Sequence, residues 1–140
     1  MSDARRLAEA HYREMNEKDF SAAGDIFSPD VETIEPGSGS LVGLEACVAH
    51  SQAFASAFPD VRMEVVSVTE DHDRVVLESV MAGTNTGPLQ TPQGELPPTG
   101  KSVRLDLCDV YEAEAGRIRR HRIYYDQMGF LAQLGMAPGA

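Results

Sequence analysis

The sequence predicts an α+β fold in which helices pack on one face of a curved antiparallel sheet, so that sheet and helices enclose a cone. Helix-period apolar spacing dominates the N-terminal part of the chain, and strand-period alternation dominates most of the remainder. Two turn signals, one at residues 70–73 and one at Ala115-Gly116, fold the second part into antiparallel hairpins. At 140 residues the chain is expected to be one domain, spanning 1–140, large enough to bury a core without staples.

Residues 3–16 carry Ala4, Leu7, Ala8, His11 and Met15 at helical spacing, with Tyr12 at the inner edge. Asp19 offers a cap for a second short helix whose Phe20, Ala23 and Phe27 share a face and which Pro29 closes. Residues 31–35 alternate as a strand and run into a flexible Pro36-Gly37-Ser38-Gly39 loop. From Gly43 to Phe58, the positions Leu44, Cys47, Val48, Ser51, Ala55 and Phe58 repeat as a third helix, stopped by Pro59. Residues 61–69 and 74–83 read as paired strands. Residues 84–101 hold four prolines and three glycines, which argues against any regular element there. So long a loop in a compact domain is more often a functional cover than a connector, and it is expected over or beside the mouth of the cone. A second hairpin spans 103–127, and residues 128–134 form a last turn or two of helix ended by Gly135.

That second hairpin organises the chain. Gly116 supplies the positive φ of a two-residue turn, so the register can be counted outward from it. Glu114 then faces Arg117, followed by Ala113 with Ile118, Tyr111 with Arg120, Asp109 with Arg122, Leu107 with Tyr124, and Leu105 with Asp126. Alternate pairs share a face that starts apolar and then gathers acids, arginine and tyrosine, which reads as the floor of a pocket roofed by the first and third helices. The competing interpretation is an exposed face laced with ion pairs such as Asp109 to Arg122. Cys108, Val110, His121, Ile123 and Tyr125 fall on the other face, too apolar to leave in water, so a homodimer across it is expected.

A formal net charge of −10 and a pI near 4.7 repel phosphates and argue against a nucleic-acid partner. Cys47 and Cys108 stand far apart, no charged-then-apolar export signal is visible, and no apolar run reaches the roughly 18 residues of a membrane span. A cytoplasmic location and no membrane partner are therefore expected. The four histidines show no metal-ligand spacing, so neither a metal nor a cofactor is expected. The expected partner is a small molecule.

The stretches HYREMNEKDFSAAGDIFSPDVETIEP, GTNTGPL with PPTGKSVRL, and HRIYYDQMGFLAQLG resemble the SnoaL-like polyketide cyclases of the nuclear transport factor 2-like superfamily, across nearly the whole chain. The resemblance implies the superfamily's cone-shaped α+β barrel, with a sheet wrapped around about three N-terminal helices. It also implies a small, apolar, carbonyl-bearing ligand and cofactor-free chemistry. In such cyclases an aspartate near the end of the last strand is the acid/base of an intramolecular aldol closure; the match to YYDQ places that role on Asp126. A carboxyl in an apolar pocket suits both halves of the reaction, while the plainer role for Asp126 is to cap the helix that follows. Ketosteroid isomerase, a sister in the superfamily, offers a second alignment. Its helix tyrosine, its carboxylate before a proline and its protonated aspartate match Tyr12, Glu35 and Asp109, which would divide proton shuttling from enolate stabilisation. Each has an ordinary alternative: a helix-face aromatic, a solvated loop acid, and an ion-pair partner of Arg122. Substrate contacts are expected from Arg122, Tyr124, Tyr111, Phe54, Phe58 and Leu107. Limonene epoxide hydrolase is also similar at the chain's end, through Arg122 and Asp126. Ser79 and Met81 stand where its middle-strand Arg and Asp should be, which makes epoxide hydrolysis the weaker enzyme expectation. A binding protein that uses the same cone without turnover is the alternative to an enzyme.

Overall fold

The computed structural model describes residues 2–91 and 94–136, so Pro92 and Gln93 of the expected cover lie outside the described residues. The order is α1 (Asp3–Glu17), α2 (Ala23–Ile26), β1 (Phe27–Glu35), β2 (Gly39–Val42), α3 (Leu44–Ala57), β3 (Arg62–Asp71), β4 (Arg74–Thr84), β5 (Leu89–Thr91), β6 (Gly94–Leu96), β7 (Ser102–Glu114), β8 (Arg117–Tyr124) and α4 (Gln127–Gln133). The α+β class is as expected, with a curved, unclosed six-stranded sheet in the order β2-β1-β8-β7-β4-β3. The sheet is mixed where an antiparallel one was expected: β1 runs parallel to β8. The two strands are distant in sequence, so the intervening elements supply the crossover that a parallel pair needs. No helix among the described residues is long and apolar enough to cross a membrane.

Helix α1 starts where Ser2 accepts from the Arg5 N–H at 3.1 Å, and it buries Ala4, Leu7, Ala8, His11, Tyr12, Glu14 and Met15 against the sheet. The second helix is shorter than expected. Asp19 spends its carboxylate on the Ser21 N–H at 3.0 Å, closing a local turn, and Phe27 already belongs to β1. Pro29 sits inside β1, within the register irregularity between Phe27 and Glu32, where a missing N–H breaks no ladder bond. The expected loop after residue 35 turns at once into β2, because the Glu35 carboxylate takes the N–H groups of Gly37 and Ser38.

Within the expected cover, Leu89–Thr91 and Gly94–Leu96 pair as a small hairpin, β5 with β6, where no regular element was expected. Asn85, fully buried, fastens its base. The side-chain amide donates to the carbonyls of Ala57 (3.1 Å) and Gly87 (2.9 Å), and its oxygen accepts from Thr99 N–H and Oγ1, both at 2.9 Å. At Gly87 a Cβ would lie 1.9 Å from the Ser56 carbonyl oxygen, so the loop crosses α3 only because this residue is glycine.

The main hairpin departs from the counted register at one residue. Glu114–Arg117 and Ala113–Ile118 pair as counted, but the next pair is Glu112–Arg120, which leaves Arg119 as a bulge. Every later partner shifts by one: Tyr111 faces His121, Val110 faces Arg122, Asp109 faces Ile123 and Cys108 faces Tyr124. A one-residue slip exchanges the faces of a strand. His121, Ile123 and Tyr125 therefore turn into the cone, whereas Arg122 and Tyr124 turn out of it, the latter 54 % exposed. The argument for a homodimer across the outer face thereby loses three of the five residues it rested on and keeps Cys108 and Val110.

Inside the cone, apolar residues form two clusters. One joins α1, α2, β1 and the hairpin end of the sheet around Leu7, Phe27, Leu77 and Tyr111; the other joins the end of α3, α4 and the far ends of β4 and β7 around Phe58, Met81, Leu105 and Phe130. Both flank a cavity lined by several ionisable groups, among them Asp109, His121, Glu35 and His50.

Candidate active site

The cavity has a volume of about 270 Å³. Asp109, on the inner face of β7 and 2 % exposed, is the centre of its polar wall. Two donors converge on its carboxylate: the Tyr12 hydroxyl reaches Oδ2 from α1, and His121 Nε2 lies 2.8 Å from Oδ1. The Tyr12 oxygen is also 2.8 Å from Ser79 Oγ on β4, so four elements fix this one carboxylate. Asp109 accepts, hence His121 carries its proton on Nε2 and leaves Nδ1 without a hydrogen bond among the described residues. Tyr111 stacks on the imidazole at 4.0 Å between centroids and locks the ring plane. Burial lowers the His121 pKa below its usual value, against a rise from the hydrogen bond and charge of Asp109. The Tyr12 pKa goes far up, first through burial and then through Asp109.

A second acidic centre lines the same cavity. Glu35, 6 % exposed at the end of β1, receives the Gly37 and Ser38 N–H groups and the Tyr125 hydroxyl, the last at 3.2 Å. Burial and Glu35 together raise the Tyr125 pKa. His50 on α3 lines the cavity too, its pKa lowered chiefly by burial. The remaining wall is largely apolar and includes Phe54, Leu105, Leu107, Phe130 and Leu131, with Leu89, Gln90 and Thr91 from the small hairpin. Residues 89–91 of the expected cover thus border the cavity. No group of His, Cys, Asp or Glu among the described residues is arranged to hold a metal ion.

The expected site residues divide cleanly. Asp109, Glu35, Tyr111, Phe54 and Leu107 line the cavity. Tyr12 stands behind the wall, touching the site through Asp109, and Phe58 is fully buried behind Phe54, whose ring stacks on it at 4.9 Å. Arg122 and Tyr124 belong to the outer face. Arg122 approaches Glu112 at 4.0 Å, and the expected Asp109–Arg122 pair does not form. Asp126 is exposed and caps α4, accepting from the Gly129 N–H at 2.9 Å, so the expected convergence of Asp126, Tyr124, Arg122 and Asp109 in one cavity is corrected. The residues missed were His121 and Tyr125, together with His11 and His50. A signal for the first two was present. Counting from the far end of β8, apolar Ile123 and Tyr125 demand the inner face and charged Arg120 and Arg122 the outer, in conflict with the count from the turn. That conflict is what a bulge leaves in a sequence.

The model of the SnoaL-like polyketide cyclase family matches residues 4–134. The chain belongs to that family. Solved structures agree on the fold of this SnoaL-like protein. A protein from Jannaschia sp. CCS1, assigned as a SnoaL-like polyketide cyclase, superposes with a TM-score of 0.85 at 18% identity, covering 97% of this chain and 94% of that one. TsrD from Streptomyces laurentii gives 0.80 at 22% identity, with 96% of each chain covered. A protein with a ketosteroid isomerase-like fold from Catenulispora acidiphila, in complex with trimethylamine, gives 0.75 at 18% identity over 93% of this chain and 92% of that one. At these identities the likeness speaks for the fold. A search of curated proteins finds no match.

Proposed function

We propose that this SnoaL-like chain is a cofactor-independent enzyme, a cyclase or isomerase of an apolar carbonyl compound, with His121 on Asp109 as its acid–base group. The buried Tyr12–Asp109–His121 chain, ending on a cavity wall, carries the proposal. A neutral imidazole removes a proton alpha to a carbonyl through Nδ1, and the electrons of that C–H bond form an enolate. Asp109 stabilises the imidazolium that results, while Tyr12 and Ser79 hold Asp109 in place. The enolate carbon then attacks a second carbonyl of the same molecule, or is reprotonated elsewhere along it, and His121 returns the proton. The apolar wall orients the substrate and excludes water, which strengthens both electrostatic terms. Glu35 with Tyr125 offers a polar contact at another part of the cavity. Membership of a cyclase family supports this class of reaction.

A binding protein without turnover gains nothing from an oriented carboxylate–imidazole pair in its wall. The test is deuterium washout: a panel of alpha-deuterated apolar cyclic ketones and 1,3-diketones is incubated with the protein in H₂O and read by proton NMR. Exchange at the alpha carbon that disappears when Leu107→Trp fills the cavity is the expected result. Calorimetric binding without any exchange would establish the binder instead.

A further inference from the structure

Glu14 is the buried carboxylate that the reaction above does not use. It lies on α1 at 6 % exposure, and neither oxygen receives a hydrogen bond among the described residues. An ionised carboxylate buried without a partner is costly, so this position calls for a counter-charge or a proton. The neighbour is His11, one turn earlier, whose Nδ1 is also buried without a hydrogen bond and stands 3.6 Å from Glu14 Oε1. The two orphaned groups face each other. With Nδ1 turned to Glu14, Nε2 is the nitrogen left for the cavity that His11 lines. The ring packs edge-on to His121 at 5.7 Å between centroids and to Phe27 at 4.9 Å, so its orientation is fixed.

We propose that Glu14 keeps a proton on His11, making His11 the acid that complements the base His121 in the same cavity. The proposal rests on the reading of function above and completes its proton accounting. When His121 takes the alpha proton, the carbonyl π electrons move to oxygen, and the proton on His11 Nε2 neutralises that oxygen to give an enol. On ring closure the enol O–H returns its proton to His11 as its carbon attacks, while His121 gives its own to the new alkoxide. No proton is gained or lost overall. Burial disfavours charge on His121, while His11 has a carboxylate beside it, and unlike surroundings of this kind are how sites running acid and base chemistry at one pH are built. The titratable groups around His11 are Glu14 on its own helix, Cys47 and His50 on α3, Tyr111 on β7 and His121 on β8, with Glu35 on β1 and Asp109 on β7 in the same cavity. Glu14 acts as a positioning residue; His11 touches the substrate.

The test uses the full chain with ¹⁵N-labelled histidine. At pH 7.5 the His11 ring nitrogens of the wild type are expected to show imidazolium shifts while those of His121 show a neutral Nε2–H tautomer. In Glu14→Gln, with an amide spectrum that confirms the fold, His11 is expected to become neutral. Deuterium washout should then fall by roughly 10²-fold and lose the alkaline limb of its pH profile, which reports the acid. A neutral His11 in the wild type overturns the proposal without any variant, and so does an unchanged washout rate in Glu14→Gln. A cationic His11 in a protein that exchanges no ketone supports the placement of the proton and overturns the reading of function.

Discussion

Replacing Asp109 with Asn removes one charge from the cavity wall and almost no volume. The carboxylate receives the Tyr12 hydroxyl on one oxygen, and His121 Nε2 lies 2.8 Å from the other. An amide can keep both contacts: its oxygen accepts from His121, and its NH₂ donates to the Tyr12 oxygen, whose own proton swings to Ser79 Oγ 2.8 Å away. The two bonds change from charge-assisted, about 1.5–3 kcal/mol each, to neutral, about 0.5–1.5 kcal/mol each, a loss of roughly 2–3 kcal/mol in all. Relief from burying a carboxylate offsets part of it, so a domain with about 5–15 kcal/mol of stability stays folded. Catalysis fares worse. Asp109 raises the basicity of His121 against burial, which lowers it, and without the charge burial acts alone. The same change in a serine-hydrolase triad costs about 10⁴ in kcat; here deuterium washout is expected to slow by roughly 10²–10⁴-fold. Washout from the best ketone of the panel is measured beside urea unfolding. Wild-type exchange in a folded variant would refute the assignment, and so would a destabilisation above about 5 kcal/mol, the mark of a purely structural carboxylate.

Other substitutions probe separate parts of the account. Asn85→Ala strips four hydrogen bonds from a fully buried position and is expected to cost about 2–4 kcal/mol by urea unfolding, loosening the β5–β6 hairpin at the cavity edge. Acid should destabilise the fold early. His121 and His50 are both depressed below 6.5, so the stability they contribute is complete above about pH 6.5 and is lost as the pH falls through their folded values. Thermal melts are expected to drop between pH 6.5 and 5, and His121→Gln should flatten that drop. Asp126→Ala is expected to cost about 1 kcal/mol, the usual worth of a helix cap, with washout unchanged.

Most element types were readable in the sequence because α1, β4 and β7 follow their apolar periods. Asp109 and Tyr111 were placed on the inner face correctly, since the register error lies beyond β7. The site itself was half legible. Arg119, the bulged residue, carries no local mark such as a glycine, and passing over it inverted β8, exposing His121 in the reading and burying Asp126. Glu35 was found through Glu35-Pro36, but its partner Tyr125 was lost to the same inversion. The β5–β6 hairpin was hidden by its prolines, because pairing there needs only three residues a side and an anchor, Asn85, that looks like any loop polar residue. Parallel pairing of β1 with β8 is long-range, and no local pattern encodes it.

The central claim is that proton transfer in this cavity belongs to the imidazole that the bulge turns inward, and the most direct measurement is alpha-deuterium washout by His121→Gln beside Asp126→Asn at one pH. The account predicts a loss of roughly 10²-fold or more in His121→Gln and a rate within about twofold of wild type in Asp126→Asn. Full activity in His121→Gln with a dead Asp126→Asn would contradict it and return the acid/base role to the exposed helix cap.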